Sequence, residues 1–206
     1  MCGAIAVVHQ NLQQVDSLSG NKDFEALGSL AAALQRIASV DVRQTATQAT
    51  EVDLAVLLDE LRIVVTPSLE EESISAEWVV EAGLPSVWAD PPSLMQVFLN
   101  LTTNSVRALA KRHHPTLVVN ARLEGAQVHV EFSDNGGGVK HPEYLFRPFQ
   151  AGAEATGLGL YLSRAFMRSF GGELRYVQLE DGACFIVVLS SATAPEKEVI
   201  WMKHAS

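Results

Sequence analysis

Four polar residues recur at helical spacing along the segment after Pro92. Asn100, Asn104, Arg107 and Lys111 fall on one edge of the helical wheel, beside an apolar stripe. Amide oxygens suit a magnesium ion that phosphates already hold, and cations one turn further on would face the same phosphates. A solvated helix face with two asparagines four residues apart is the more ordinary explanation. The helix alone therefore does not decide between a metal-phosphate site and a plain surface.

A glycine-rich loop follows the second of two strongly alternating strand patterns. Its sequence is Asp134-Asn135-Gly136-Gly137-Gly138-Val139. Glycines allow positive φ and close backbone approach, and a carboxylate at a strand end accepts a hydrogen bond from an exocyclic amine such as that of adenine. These properties are the ones that a purine-binding pocket needs. An ordinary turn between two strands accounts for the same residue types.

A third group, Thr156-Gly157-Leu158-Gly159-Leu160, places two glycines before a predicted helix. The N-terminal amides of such a helix suit a phosphate, although a plain loop-to-helix turn explains the pattern about as well. Other signatures are absent from the sequence. There is no G-x-x-x-x-G-K-[ST], no third glycine where a dinucleotide fingerprint needs one, and no G-x-S-x-G.

Alternating helix and strand patterns over 52–190 predict one α+β domain that positions these groups. A first helix is expected over 54–65, and Pro67 is predicted to end it. A second is expected to begin at the two prolines 91–92 and to end at residue 109, and a third is expected over 158–170. Strands are expected over six short segments, namely 74–81, 86–89, 116–123, 127–133, 173–178 and 184–189. The last four strands form two hairpins.

Residues 1–45 predict two amphipathic helices that a turn over 16–21 joins into an antiparallel hairpin. A hairpin of this size has too little core to stand alone, so its apolar face needs the rest of the chain or a second copy. A polar linker is expected over 43–51. The tail 191–206 shows no usable period, and its role is open.

Composition excludes several classes of protein. The 206 residues carry 15 Lys and Arg against 24 Asp and Glu, a formal net charge of −9, which argues against nucleic-acid binding. The apolar runs fall far short of the roughly 20 residues that cross a bilayer, and the first residues lack a basic signal region. We therefore expect a cytoplasmic chain without membrane contact. Cys2 and Cys184 are expected to be plain thiols.

Taken in chain order, these groups resemble the ATP-binding domain of sensor histidine kinases, within the GHKL ATPase superfamily. The resemblance covers about 52–189 and consists of four motifs: Ala89-Asp90-Pro91 leading to Gln96-Val97-Phe98-Leu99-Asn100-Leu101-Thr102-Thr103-Asn104, then Asp134-x-Gly136-x-Gly138, then Leu145-Phe146-Arg147-Pro148-Phe149, then Thr156-Gly157-Leu158-Gly159-Leu160. It implies a two-layer α/β sandwich, a mixed sheet covered on one face by helices, preceded by the helical hairpin. It also implies ATP and Mg²⁺ as cofactors.

The resemblance implies roles for the polar helix edge. Asn104 would bind Mg²⁺ with Asn100 close by, and Arg107 would contact the phosphates; these three are the expected catalytic residues, and Lys111 is a further phosphate contact. Hydrolysing relatives place Glu where this chain has Asn100. Because an amide is no general base for water, transfer of the γ-phosphoryl to a histidine fits better than hydrolysis.

The resemblance also implies a set of nucleotide contacts outside that helix. Asp134 would bind adenine, Gly136 and Gly138 would shape its pocket beside Val139, and Phe146 and Phe149 would flank the ATP lid. A further group is expected to bring the next helix to the phosphates, namely Thr156, Gly157, Leu158, Gly159 and Leu160. Cys184 is expected beside the adenine pocket. Cys184 stands where a Thr is common in the family, and a thiol is a weaker hydrogen-bond partner.

Two departures from the family pattern keep a second hypothesis open. The lid sequence 150–155 is short and has no basic residue. No His-[Glu/Asp]-x-[Arg/Asn]-x-Pro acceptor motif occurs, because His9 is followed by Gln10-Asn11-Leu12. We expect a fragment that dimerises through its hairpin, serves a response-regulator receiver domain and cannot phosphorylate itself. The alternative is a degenerate nucleotide-binding or dimerisation module without transferase activity.

Overall fold

The computed structural model describes residues 49–147 and 158–192. In that part of the chain the elements are, in order, β1 (Thr50–Val52), α1 (Leu54–Glu71), β2 (Ser75–Val80), β3 (Val87–Ala89), α2 (Pro91–Leu109), β4 (Thr116–Glu124), β5 (Gln127–Asp134), a short 3₁₀ helix (Pro142–Tyr144), α3 (Gly159–Ser169), β6 (Glu173–Leu179) and β7 (Gly182–Ser190). The predicted hairpin over 1–45 lies outside the described residues, as do 148–157 and the tail from 193 onward.

Five strands form one mixed sheet in the order β2-β4-β5-β7-β6. β2 and β4 pair in parallel, and the other neighbours pair antiparallel. The parallel pair needs a long crossover connection, and β3 and α2 lie between the two strands in the chain. The predicted α/β sandwich is confirmed.

The helices pack on one face of this sheet. Along β5 the even-numbered residues Val128, Val130 and Phe132 are fully buried, and the Phe132 ring lies 5.5 Å from the Phe98 ring of α2. Since side chains alternate between the two faces of a strand, Asp134 at the end of β5 also points toward α2. The sheet thus places the Asp134 carboxylate next to the helix layer, at the edge where β5 ends.

The first helix continues past the predicted stop. Asp53 caps α1 by accepting hydrogen bonds from the Ala55 and Val56 N–H groups at 2.9 and 3.3 Å. The prediction that Pro67 ends the helix is wrong, because the helix runs on to Glu71. Pro67 lies on the exposed side of α1, where solvent is available to the backbone carbonyl that loses its partner. Leu69, which is buried, holds the last turn to the core.

Part of the predicted linker is a strand. β1 pairs antiparallel with β3, with Thr50 opposite Ala89 and Val52 opposite Val87. Val52 and Val87 are both buried, so the apolar contact fixes a strand too short to predict from its pattern. At the other end of the domain, the Ala192 N–H donates to the Ser86 carbonyl at 2.7 Å. Ordered pairing therefore extends beyond both predicted limits, 52 and 190.

Within 49–147 and 158–192, no helix combines the length and the apolar character that a bilayer span requires.

Candidate functional site

Helix α2 is oriented by its cap and its buried face. The Asp90 carboxylate accepts a hydrogen bond from the Ser93 N–H at 3.0 Å, and Pro91 begins the helix. Leu94 and Leu101 are fully buried against the sheet. The polar edge is thereby held at the border between core and solvent, where Asn100 and Asn104 are half-buried and Arg107 is exposed.

The polar edge of α2 ends before Lys111, the last of its four predicted members. α2 stops at Leu109, and Lys111 lies beyond its C-cap, Ala110. Lys111 is exposed and no longer follows the helical register that placed it with Arg107. The structure therefore brings together Asn100, Asn104 and Arg107 on one helix edge but not Lys111.

The two asparagines have different surroundings. The Asn100 amide nitrogen donates to the Gly159 carbonyl at 3.3 Å and to the Ser163 hydroxyl at 3.1 Å, so this side chain ties α2 to the first turns of α3. The Asn104 amide nitrogen is buried and has no hydrogen-bond partner among residues 49–147 and 158–192. An unpaired buried donor costs about 1–3 kcal/mol, which makes Asn104 the polar group of this edge that a ligand would satisfy.

Asp134 is almost completely buried, with 5% of its surface exposed. Its two carboxylate oxygens accept hydrogen bonds from the Ser105 hydroxyl at 2.8 Å and from the Gly136 N–H at 2.9 Å. Burial raises the pKa of the Asp134 carboxyl above its usual value of 3.8, and hydrogen bonds from Gly136, Ser105 and the Ala183 backbone oppose that shift. Ser105 was not predicted as a site residue. The sequence feature that could have identified it is the presence of a hydroxyl side chain within the otherwise apolar stripe of α2.

The loop after Asp134 is held from two sides. The Asn135 side chain accepts from the Thr116 N–H at 2.9 Å and donates to the His114 carbonyl at 3.0 Å. On the other side, the Val139 N–H lies 3.1 Å from both the Tyr176 hydroxyl and the Gln178 side-chain oxygen of β6. These contacts fix the loop from strands that are distant in sequence.

Two of the predicted glycines are required for different reasons. A Cβ added at Gly136 would lie 2.6 Å from the Ala108 Cβ, whereas one at Gly138 would meet only the flexible end of the Gln178 side chain. Gly138 also has φ +75°, a conformation that side chains disfavour. The backbone of this loop therefore packs directly on α2 at Gly136, and Gly138 gives the loop a conformation that favours glycine.

Tyr176 and Gln178 are site residues that sequence reasoning missed. Their Cα partners on β7 are Phe185 and Ala183, and Ala183 is also the partner of Asp134. All of them therefore lie on the helix-facing side of the sheet. No local pattern marks these β6 side chains, because their proximity to Val139 comes from strand pairing alone.

The prediction that Cys184 lies beside the pocket is wrong. Cys184 pairs with Ser133, one position before Asp134, and neighbouring strand residues point to opposite faces. Its thiol is buried on the far side of the sheet, where burial raises its pKa. Ala183 is the β7 residue that shares a face with Asp134.

The remaining predicted residues flank the segment 148–157. The Arg164 guanidinium carbon of α3 lies 4.7 Å from the centre of the Phe146 ring, so Phe146 stacks on α3. Leu158 is buried, Gly159 is the first residue of α3, and Leu160 packs against the core. Phe149, Thr156 and Gly157 lie outside the described residues.

Comparison with known proteins assigns this arrangement to a family. Residues 89–193 match the histidine kinase-, DNA gyrase B-, and HSP90-like ATPase family, and the chain belongs to it. Sensor histidine kinase ZraS of Escherichia coli O157:H7 is 32% identical over 152 residues, covering 72% of this chain and 33% of ZraS. The expected relationship to sensor histidine kinases is confirmed. The chain spans about a third of the length of this relative.

Solved structures share the fold. The catalytic domain of histidine kinase ThkA aligns with a TM-score of 0.63 at 23% identity, covering 69% of this chain and 97% of that domain. ThkA in complex with response regulator protein TrrA aligns with a TM-score of 0.59 at 17% identity, covering 92% of this chain and 58% of the ThkA chain. At these identities the structures establish the fold of the described domain.

The burial of Asp134 predicts a pH-dependent stability. Because its pKa is raised above 3.8 in the fold, ionisation is harder in the folded than in the unfolded chain. This group's contribution to the free energy of unfolding is thus present below about pH 3.8 and is lost as pH rises through the folded pKa.

Asp134→Asn removes the buried charge, so the free energy of unfolding of this variant relative to the parent should rise between about pH 4 and pH 7 in urea unfolding. Asp59→Asn, at an exposed position of α1, is the control. A relative stability of Asp134→Asn that falls with pH would contradict this reading.

Proposed function

We propose that this chain is the ATP-binding catalytic region of a sensor histidine kinase, which transfers the γ-phosphoryl of ATP to a histidine for relay to a response regulator. The observation that carries the proposal is the buried Asp134 carboxylate, fixed by Ser105 and Gly136 at the wall of a glycine-rich loop. Membership of the ATPase family and the likeness to ZraS support it.

Asp134 recognises the adenine base in this proposal. A carboxylate has about four lone-pair sites, so one that three protein donors hold retains a site for a further hydrogen bond, and the adenine amine is a donor at that place. Guanine presents a carbonyl oxygen there, which the carboxylate repels. The Gly136 and Gly138 backbone and Val139 form the adjoining wall, which Tyr176 and Gln178 hold in place.

Asn104 holds Mg²⁺ and Arg107 contacts the phosphates. Among the described residues no cluster of three or more His, Cys, Asp or Glu side chains is suited to a metal ion. The unpaired Asn104 amide nitrogen is a donor and suits a phosphate oxygen. The amide oxygen of the same side chain is the atom that would bind Mg²⁺, with phosphate oxygens and waters as the other ligands, which is the usual state of Mg²⁺ with ATP. When bound, the ion neutralises charge on the transferring phosphoryl group. Arg107, exposed in the last turn of α2, adds a cation beside it.

Transfer to a histidine fits this helix edge better than hydrolysis. Asn100 and Asn104 present amides, and an amide does not take a proton from water. An imidazole nitrogen needs no such base, because its lone pair attacks the phosphoryl group directly. The partners proposed are a second copy of the chain through the hairpin over 1–45 and a response-regulator receiver domain, in a cytoplasmic setting. The ThkA structure with its response regulator supports the second of these.

The base-recognition role predicts a preference for adenine. The parent chain should bind a non-hydrolysable ATP analogue more tightly than its GTP counterpart in a calorimetric titration. Asp134→Asn should weaken the ATP analogue about tenfold or more, since it places an amide donor or a neutral oxygen against the adenine amine. Asp59→Asn serves as the control. Equal affinities for the two analogues, unchanged by Asp134→Asn, would refute the assignment.

The metal role predicts a selective loss in Asn104→Ala. This variant should bind the ATP analogue with little gain from Mg²⁺, because the amide is proposed to touch the metal and not the base, and its adenosine affinity should stay within about twofold of the parent. Asn120→Ala, on β4 and bonded to Glu131, is a matched amide deletion away from the site. A folded Asn104→Ala chain whose Mg²⁺ response equals that of the parent would disprove the metal contact.

A further inference from the structure

The hydroxyl of Ser163 belongs to a hydrogen-bond network that joins α2 to α3. Ser163 is fully buried on α3, and its hydroxyl donates to the Gly159 carbonyl at 2.9 Å. The same oxygen accepts from the Asn100 amide nitrogen at 3.1 Å, and that nitrogen also donates to the Gly159 carbonyl. The Asn100 amide oxygen in turn accepts from the Gln96 side chain at 3.1 Å. Both protons and the oxygen of the Asn100 amide are therefore engaged.

This network contacts the backbone at the start of α3. A helix usually begins at a side chain that caps its first N–H groups, but the N-cap residue of α3 is Leu158, which makes no such bond. The Asn100 and Ser163 side chains donate to the carbonyl of the first residue, Gly159, so they hold this turn without capping its N–H groups. They fix the first turn of α3 against α2.

The location of the network links it to the metal and phosphate edge. Asn104 follows Asn100 by one turn on the same face of α2. The contacts that join Asn100 to the first turns of α3 therefore lie one helical turn from Asn104. Core packing alone does not require the hydroxyl, because neighbouring buried α3 residues such as Phe166 and Met167 pack through apolar atoms.

We propose that Asn100 and Ser163 are positioning residues that hold the first turn of α3 beside Asn104, so that binding of Mg²⁺-triphosphate depends on them and binding of adenosine does not. Ser163 belongs to none of the sequence motifs, so this role is not part of the sequence prediction. Asn100 acts through α3 and not as a direct ligand of the metal. This inference rests on the proposed function, since it concerns the phosphate end of the same site.

The test compares two ligands across a set of variants by calorimetric titration. Ser163→Ala should weaken the Mg²⁺ complex of a non-hydrolysable ATP analogue about fivefold and leave adenosine affinity within about twofold. Ser169→Ala is the matched control, because Ser169 is a buried serine of the same helix whose hydroxyl donates only to the Phe166 carbonyl at 2.7 Å. It should change neither affinity. Gln96→Ala, at a half-buried position, should act in the same direction as Ser163→Ala without altering the core.

A double-mutant cycle separates a positioning pair from two independent effects. Asn100→Ala combined with Ser163→Ala should bind the ATP analogue no more weakly than Asn100→Ala alone, because one network is lost in both cases. Additive losses, an equal loss of adenosine and triphosphate affinity, or unchanged binding in Ser163→Ala and Gln96→Ala would each overturn the inference. A parent chain that binds neither ligand would contradict the proposed function itself, and the positioning role with it.

Discussion

The bond between the Ser105 hydroxyl and the Asp134 carboxylate joins the two layers of the domain at its site. An ionisable carboxylate buried to 5% exposure is costly unless donors surround it, and the donors come from α2, from the loop at Gly136 and from Ala183 on β7. The position of the helix, the course of the loop and the pairing of β5 with β7 are therefore coupled through one side chain. A change in any of them leaves the buried carboxylate with one donor fewer. The fold thus maintains a buried acceptor whose burial works against stability, a compromise that is common at functional sites.

The sheet decides which residues reach that acceptor. Strand pairing brings Tyr176 and Gln178 of β6 to the helix-facing side, where they hold the Val139 N–H. The same alternation sends Cys184 to the opposite face and leaves Ala183 next to Asp134. A register difference of one residue exchanges a thiol for a methyl group at the pocket wall. The proposed base pocket therefore has backbone and small side chains on its β7 side and polar side chains on its β6 side.

The sequence was sufficient for those features that depend on local pattern. The apolar stripe of α2 predicted the helix and its polar edge. The glycines at 136 and 138 predicted a loop with positive φ and close backbone approach, and the loop has φ +75° at Gly138 and no room for a Cβ at Gly136. The features that were missed depend on long-range contacts. Ser163 lies 63 positions from Asn100, and neither residue type marks the other in the sequence. The continuation of α1 past Pro67 likewise depends on Leu69 being buried by the core.

The activity proposed for this site is transfer of phosphate from ATP to a histidine. Its most direct measurement is incubation of this chain with γ-labelled ATP and Mg²⁺, together with a separate helical hairpin that carries a histidine acceptor motif. The account predicts an acid-labile, alkali-stable label on the hairpin histidine, with Asp134→Asn strongly reducing its rate of appearance. A chain that binds ATP and leaves the hairpin unlabelled, or that releases the phosphate to water instead, would contradict it.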